Sequence, residues 1–252
     1  MREFGAESAS SVAFTFSFTG RTAQFDERLH PVSSLIDPGT QLMARANRLR
    51  FRGELDASIA LLEHTDLTVI RHDSFSPVTI PAIGRKPVAE LHGWAMLLKG
   101  DAAAAALDGR VLREFAAHEP ETRWNGWFLR FLAAEGELFA GNRAAAVEIA
   151  RAAMTEAPRG VNAAIDREAP VIAARIFAWA GARDEATALL EHLSTRFPGV
   201  GPAEITRDPL YAVPLAGNAR FQSLALQLEK EITANVRLFD SPPAMSTATM
   251  PR

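Results

Sequence analysis

The chain has 252 residues, 48% of them hydrophobic and 23% charged, with a formal net charge of −3. That length supports one substantial core, and the slight negative balance excludes a general attraction to nucleic acid or anionic lipid. Cysteine is absent, which excludes disulfides and thiolate metal sites and suits either cytosol or periplasm.

Residues 1–36 differ from the rest. Val12, Phe14, Phe16 and Phe18 alternate with Ala13, Thr15 and Ser17, a strand period. One strand cannot stand alone, so this stretch reads either as the remnant of an upstream domain or as a leader of low order. Arg2 is followed by Glu3 and Glu7, and Ser and Thr interrupt the apolar residues. No secretory signal is therefore expected, which points to the cytoplasm. The periplasm stays open if the chain is a fragment of a membrane-anchored regulator.

From Asp37 onward helices dominate. Asp37-Pro38 starts the first helix with a capping carboxylate and a proline at the first helical position. Helical hairpins are predicted over 38–64, 86–118, 120–156 and 166–197, split at Gly53, Gly100, Gly141 and Gly181. Between the first two lies a long connection, 65–85, with Pro77, Pro81 and Gly84. Leu67 to Ile70 reads there as a short extended piece. The stretch Val171 to Ala182 is too short to cross a membrane and contains Arg175. Segment 200–217 holds Pro202, Pro209 and Pro214 and is not expected to form a regular helix. A last helix is predicted from near Asn218 to about Leu238, its apolar face carrying Phe221, Leu224, Leu228 and Ile232. The tail 241–252, rich in Pro, Ser and Thr, reads as disordered.

The hairpin assignment rests on a fixed-offset pattern. A small residue precedes each turn glycine by seven positions and another follows it by five. The sets are Ala46, Gly53, Ser58; Gly93, Gly100, Ala105; Ala134, Gly141, Ala146; and Ala174, Gly181, Ala186. Small residues let antiparallel helices approach, and glycine supplies the left-handed conformation that ends the first helix. These units resemble the tetratricopeptide repeat (TPR). The bulky position four before the glycine is met by Leu49, Met96 and Phe177 but not by Glu137. The bulky position nine after it is met by Leu62 and Leu190 but not by Gly109 or Ala150. A closing proline is present at Pro158 and Pro198 and absent at Ile70 and Ala117. The turn glycines are 47, 41 and 40 residues apart, against a family period of about 34.

The resemblance implies an all-α fold: a right-handed α-solenoid of about four degenerate TPR-like hairpins over 37–240, closed by a C-terminal capping helix. Asp208-Pro209-Leu210, Pro214-Leu215 and Asn218, Arg220, Phe221, Leu224 are also similar to the closing segment of repeat modules in bacterial multidomain regulators. Those chains carry winged-helix, nucleotide cyclase or kinase domains. The implied function is a protein-interaction or scaffold module accessory to such a regulator, without catalysis, binding a peptide or neighbouring domain in its concave groove. In this geometry the positions six before each glycine, Asn47, Trp94, Glu135 and Arg175, face the groove. So do the positions ten before, Met43, Glu90, Phe131 and Val171. Trp124, Trp127 and Trp179 read as core.

Other chemistry is thinly signalled. The six histidines, at 30, 64, 72, 92, 118 and 192, lack ligand spacing, so no metal or cofactor is expected. His64 and His72 lie near Asp66 and Asp73, which keeps an enzyme with a site in the 65–85 loop as one alternative. Arg45, Arg48 and Arg52 share a face of the first helix, with Arg50 nearby. This stripe is the other alternative, gripping an acidic or nucleic-acid partner; the plainer reading is a solvated face. Glu135 and Glu137 are two apart and point in different directions.

Overall fold

The computed structural model describes residues 37–72, 84–122, 125–160, 163–195 and 201–240. The expected strand near 12–18, the tail 241–252, His30, Asp73 and Trp124 lie outside them. Among the described residues the fold is all-α apart from one two-stranded sheet. Eleven helices occupy more than half of the described residues.

The first hairpin is α1 (Pro38–Phe51) and α2 (Leu55–Glu63). Asp37 accepts from the Thr40 amide at 3.0 Å and Pro38 sits in the first turn. The second is α3 (Ala89–Lys99) and α4 (Ala102–His118), the third α5 (Gly126–Phe139) and α6 (Arg143–Glu156), and the fourth α7 (Ala163–Ala180) and α8 (Arg183–Ser194). Each first helix packs on its own second helix, and each second helix on the first helix that follows. First helices also meet one another, α1 with α3, α3 with α5 and α5 with α7, so they line one side of the stack.

Gly53, Gly100, Gly141 and Gly181 all have positive φ, from 75° to 94°. At Gly141, φ is 86° and the Asn142 amide reaches back to Glu137 O at 2.8 Å, which closes the helix end. A side chain there would meet nothing within 4 Å, so only the backbone conformation resists one. Gly141→Val is expected to cost about 1–2 kcal/mol, measured by thermal or chemical unfolding. An unchanged midpoint would show that this turn does not need glycine.

The small partners of the glycines are at the helix contacts. Ala105, Ala134, Ala146, Ala174 and Ala186 are fully buried, and Ser58 Oγ donates to Ala46 O across the first hairpin at 3.0 Å. Gly93 faces the ring of Phe139 so closely that a Cβ would run into it.

Two features differ from expectation. The 65–85 connection contributes a sheet: β1 (Val69–His72) pairs antiparallel with β2 (Gly84–Pro87), in the register Ile70 to Lys86 and His72 to Gly84. The 200–217 segment is helical but broken. Pro202 and Pro209 each occupy the first turn of a new short helix, where a missing N–H costs nothing. The result is α9 (Pro202–Arg207) and α10 (Pro209–Leu215), with Asp208 between them accepting from the Leu210 amide at 2.9 Å. The chain ends its described part with α11 (Ala219–Asp240), which buries Phe221, Leu224, Leu228 and Ile232 as its period predicts.

The main core runs through α3 to α11. A smaller cluster lies under α1, α2 and β1: Leu42, Met43, Ala46, Leu62, Ile70, Val88 and Leu91. Among the described residues, no helix is long and apolar enough to cross a membrane.

Candidate functional site: a buried polar cluster on the inner face

The side of the stack lined by α1, α3, α5 and α7 is not an open channel. Helix α10 lies against α7 and α3, and Leu210, Tyr211 and Leu215 are fully buried there. The Trp179 indole N–H donates to Leu210 O at 3.0 Å, and the Tyr211 hydroxyl donates to Val171 O at 3.3 Å.

Trp94 is 1% exposed, packed edge-on to Phe139 and Trp179. Phe131 is fully buried and sits edge-on to Trp127. Met43 belongs to the smaller apolar cluster, and Val171 is buried beneath α10. Glu90 and Glu135 are buried as well. Asn47 and Arg175 keep partial exposure. The correction to the groove expectation is one of burial. A proline-broken segment, read as irregular, folds into α10 and packs on α7 and α3 at this side of the stack.

What the face holds is charge. Lys86, delivered by β2, binds Glu90 on α3 at 2.7 Å, both side chains being about 5% exposed. Trp94 Nε1–H donates to Glu135 Oε1 at 3.1 Å. Arg50 turns inward from α1, donating from Nη2 to Asp208 Oδ2 at 3.0 Å and from Nη1 to Asn47 Oδ1 at 2.8 Å. Arg167 on α7 pairs with Glu204 on α9 at 3.2 Å.

Burial and the nearby Glu90 carboxylate push the Glu135 carboxyl up to about 8, against the opposing pull of Lys86, Arg175 and the Trp94 hydrogen bond. Burial pushes the Tyr211 phenol up to about 12, with Arg175 opposing. Burial works against the Arg175 charge, but Tyr211, Asp208, Glu90 and Glu168 outweigh it and hold the guanidinium above its ordinary value. Charge is thus kept inside by mutual pairing, and one carboxyl is held neutral near pH 7. Chemically the cluster gathers the Glu135 acid, the Tyr211 phenol, the Lys86 amine, the carboxyl groups of Glu90, Asp208 and Glu204, and the guanidinium groups of Arg50, Arg167 and Arg175.

Glu90, Glu135 and Arg175 came from the repeat offsets. Lys86, Asp208 and Tyr211 were not picked out as site residues. Lys86 sits in a connection, and nothing in Gly84-Arg85-Lys86-Pro87 signals burial. Asp208 was noted only for its resemblance to a closing segment. Glu137 does point away from Glu135, toward Arg113 and Asn142.

The basic stripe stays at the surface in part. Arg45 and Arg52 are exposed, and Arg52 pairs with Glu54 at 2.7 Å. Arg48 is half-buried; burial first, then repulsion from Arg52, lowers its pKa. In the 65–85 connection, the His64 ring hydrogen-bonds to Ala60 O of its own helix. His92 hydrogen-bonds to Asp108 at 2.7 Å, which raises its pKa and ties α3 to α4 away from the cluster. Among the described residues, no group of three or more His, Asp or Glu side chains is placed to hold a metal ion.

Comparison of the chain with protein-family models, with curated proteins and with solved structures finds no match.

Proposed function

We propose that the chain is a protein-interaction module: a right-handed array of TPR-like hairpins, accessory to a bacterial regulatory protein, that takes a peptide or neighbouring domain on its inner side without chemistry. One observation carries this reading. The first helices stack side by side, and the positions they share, six before each turn glycine, bring Asn47, Trp94, Glu135 and Arg175 onto one face. A core needs only apolar residues there. Charge on that face is what a surface for a polar partner carries.

With α10 in place, the docking surface is its outer side and the rim beside it. Val213 on α10 is 56% exposed, and Asn47 on α1 and Arg167, Glu168 and Arg175 on α7 are partly exposed. Trp94 is not a residue to probe, since it is buried and its removal acts on the fold. The test uses the partner recovered by affinity capture, titrated against surface variants. Val213→Asp is expected to weaken binding at least about tenfold, as loss of an apolar anchor does. Leu107→Asp, on the opposite side at 55% exposure, is expected to leave it unchanged. Replacing Arg45 and Arg48 with Ala should weaken it less, and mainly at low ionic strength. The reverse ranking moves the site to α1 and favours an acidic or nucleic-acid partner.

A second reading has one observation in its favour. Perturbed titratable groups gathered in one place are also what an enzyme's site requires, and β2, which begins at the end of the 65–85 connection, delivers Lys86 to them. Turnover of a small molecule by the purified chain would replace the docking reading with this one.

A further inference from the structure

Glu135 is 2% exposed where α5 meets α3 and α7. The charged groups facing it are Glu90 from α3, Lys86 from β2 and Arg175 from α7. Lys86 is bound to Glu90 at 2.7 Å, and Arg175 interacts with Tyr211 and Asp208. From α4, Arg113 serves the Gly136 carbonyl and Glu137 instead. Helix α6 brings buried Ala146, Val147, Ala150 and Ala153 to its contacts. Two carboxylates therefore lie near each other with cations already shared among several anions. A second buried negative charge there is repelled and poorly solvated, and the less costly state carries a proton.

We propose that the junction of α3, α5 and α7 is proton-gated: Glu135 carries a proton in the closed array, and loss of that proton loosens the junction. The proton lets Glu135 accept from Trp94 without setting a second charge against Glu90. Its loss leaves two carboxylates opposed across α3 and α5. This inference goes beyond the docking reading and does not depend on it.

The direction with pH follows from linkage. Folding moves the Glu135 carboxyl from its ordinary value of 4.5 up to about 8. Between those values the folded chain holds a proton that the unfolded chain has released, so stability falls as pH rises through this window and levels off above it.

The test compares melting of the parent and Glu135→Gln from about pH 5 to about pH 9. Glutamine keeps an oxygen to accept from Trp94 but does not titrate. As pH rises across the window, the parent is expected to lose about 5 °C or more of Tm relative to the variant. Parallel profiles would overturn the proposal. If the glutamine variant does not fold, the parent decides alone. Its infrared spectrum near neutral pH should show the carbonyl stretch of a buried protonated carboxylic acid, lost at high pH together with a change in tryptophan fluorescence. Absence of that band overturns the proposal.

Discussion

Asp208→Ala is expected to destabilise the chain by about 3–5 kcal/mol, the cost of leaving one member of a buried ion pair without its partner. Asp208 is 2% exposed and its Oδ2 accepts from Arg50 Nη2 at 3.0 Å. The contact joins α1 to the break between α9 and α10, across 158 residues of sequence. It also joins the smaller apolar cluster under α1 to the closing segment packed on the main core. The other carboxylate oxygen caps α10 by accepting the Leu210 amide at 2.9 Å, a contact worth about 1 kcal/mol by itself. Alanine removes both and leaves the Arg50 guanidinium buried.

Chemical denaturation of three variants separates the parts. Asp208→Asn keeps an acceptor for the cap but loses the charge, and should fall between the parent and Asp208→Ala. Arg50→Met removes the cation and leaves Asp208 with its cap and with Arg175 in its electrostatic reach, so it should cost less than Asp208→Ala. The double variant should be less damaging than the sum, because no orphaned charge remains. A cost below about 1 kcal/mol for Asp208→Ala, the level of an exposed pair, would mean that water reaches this contact. The closure of α1 onto the C-terminal segment would then not hold the array together.

The helix pairs were legible because their determinants are local. A glycine with positive φ and small residues at fixed offsets are conditions each hairpin satisfies within its own sequence, and Gly53, Gly100, Gly141 and Gly181 all take the left-handed conformation. The inner face was half legible. The offsets picked out Glu90, Glu135 and Arg175, which do converge. They could not show that Glu90 and Glu135 are buried, nor that α10 packs on α7 and α3 beside them. Three prolines in 200–217 argued against helix; two of them start new helices, at Pro202 and Pro209, and the third, Pro214, lies inside α10 one residue before its end. Lys86 was not legible at all. Its burial depends on the pairing of β2 with β1, and on Glu90 one helical turn into the next element. The Glu90 carboxylate that helps push up the Glu135 pKa likewise comes from another helix, whereas a local reading compares Glu135 only with Glu137.

One departure from the repeat pattern has a physical reason. Gly109 stands where a bulky residue is usual, and in the structure α4 crosses α5 at that point. A Cβ at Gly109 would lie 2.7 Å from Gly136 O and 3.0 Å from Phe139 Cβ. A Cβ at Gly136 would lie 2.8 Å from Gly109 O. At Gly109 the nearest obstacle is a backbone oxygen; at Gly136 it is the Arg113 Cγ at 2.7 Å, with the Gly109 carbonyl oxygen just behind, so relief requires the helices themselves to separate. The Arg113 guanidinium, which donates to Gly136 O at 2.7 Å, would have to move with them.

Two effects of Gly109→Ala therefore oppose each other. Helix propensity alone favours alanine by about 1 kcal/mol in the interior of α4, and overpacking costs about 1–3 kcal/mol or more. With backbone on the far side, overpacking should win, and the expected net result is a loss of about 2 kcal/mol, read by chemical denaturation. Gly136→Ala should behave alike. The double variant should cost less than the sum, because the separation forced by the first methyl makes room for the second. A more stable Gly109→Ala would show that propensity dominates and that α4 and α5 are not in close contact there. Additive losses would mean that the two glycines answer to different neighbours.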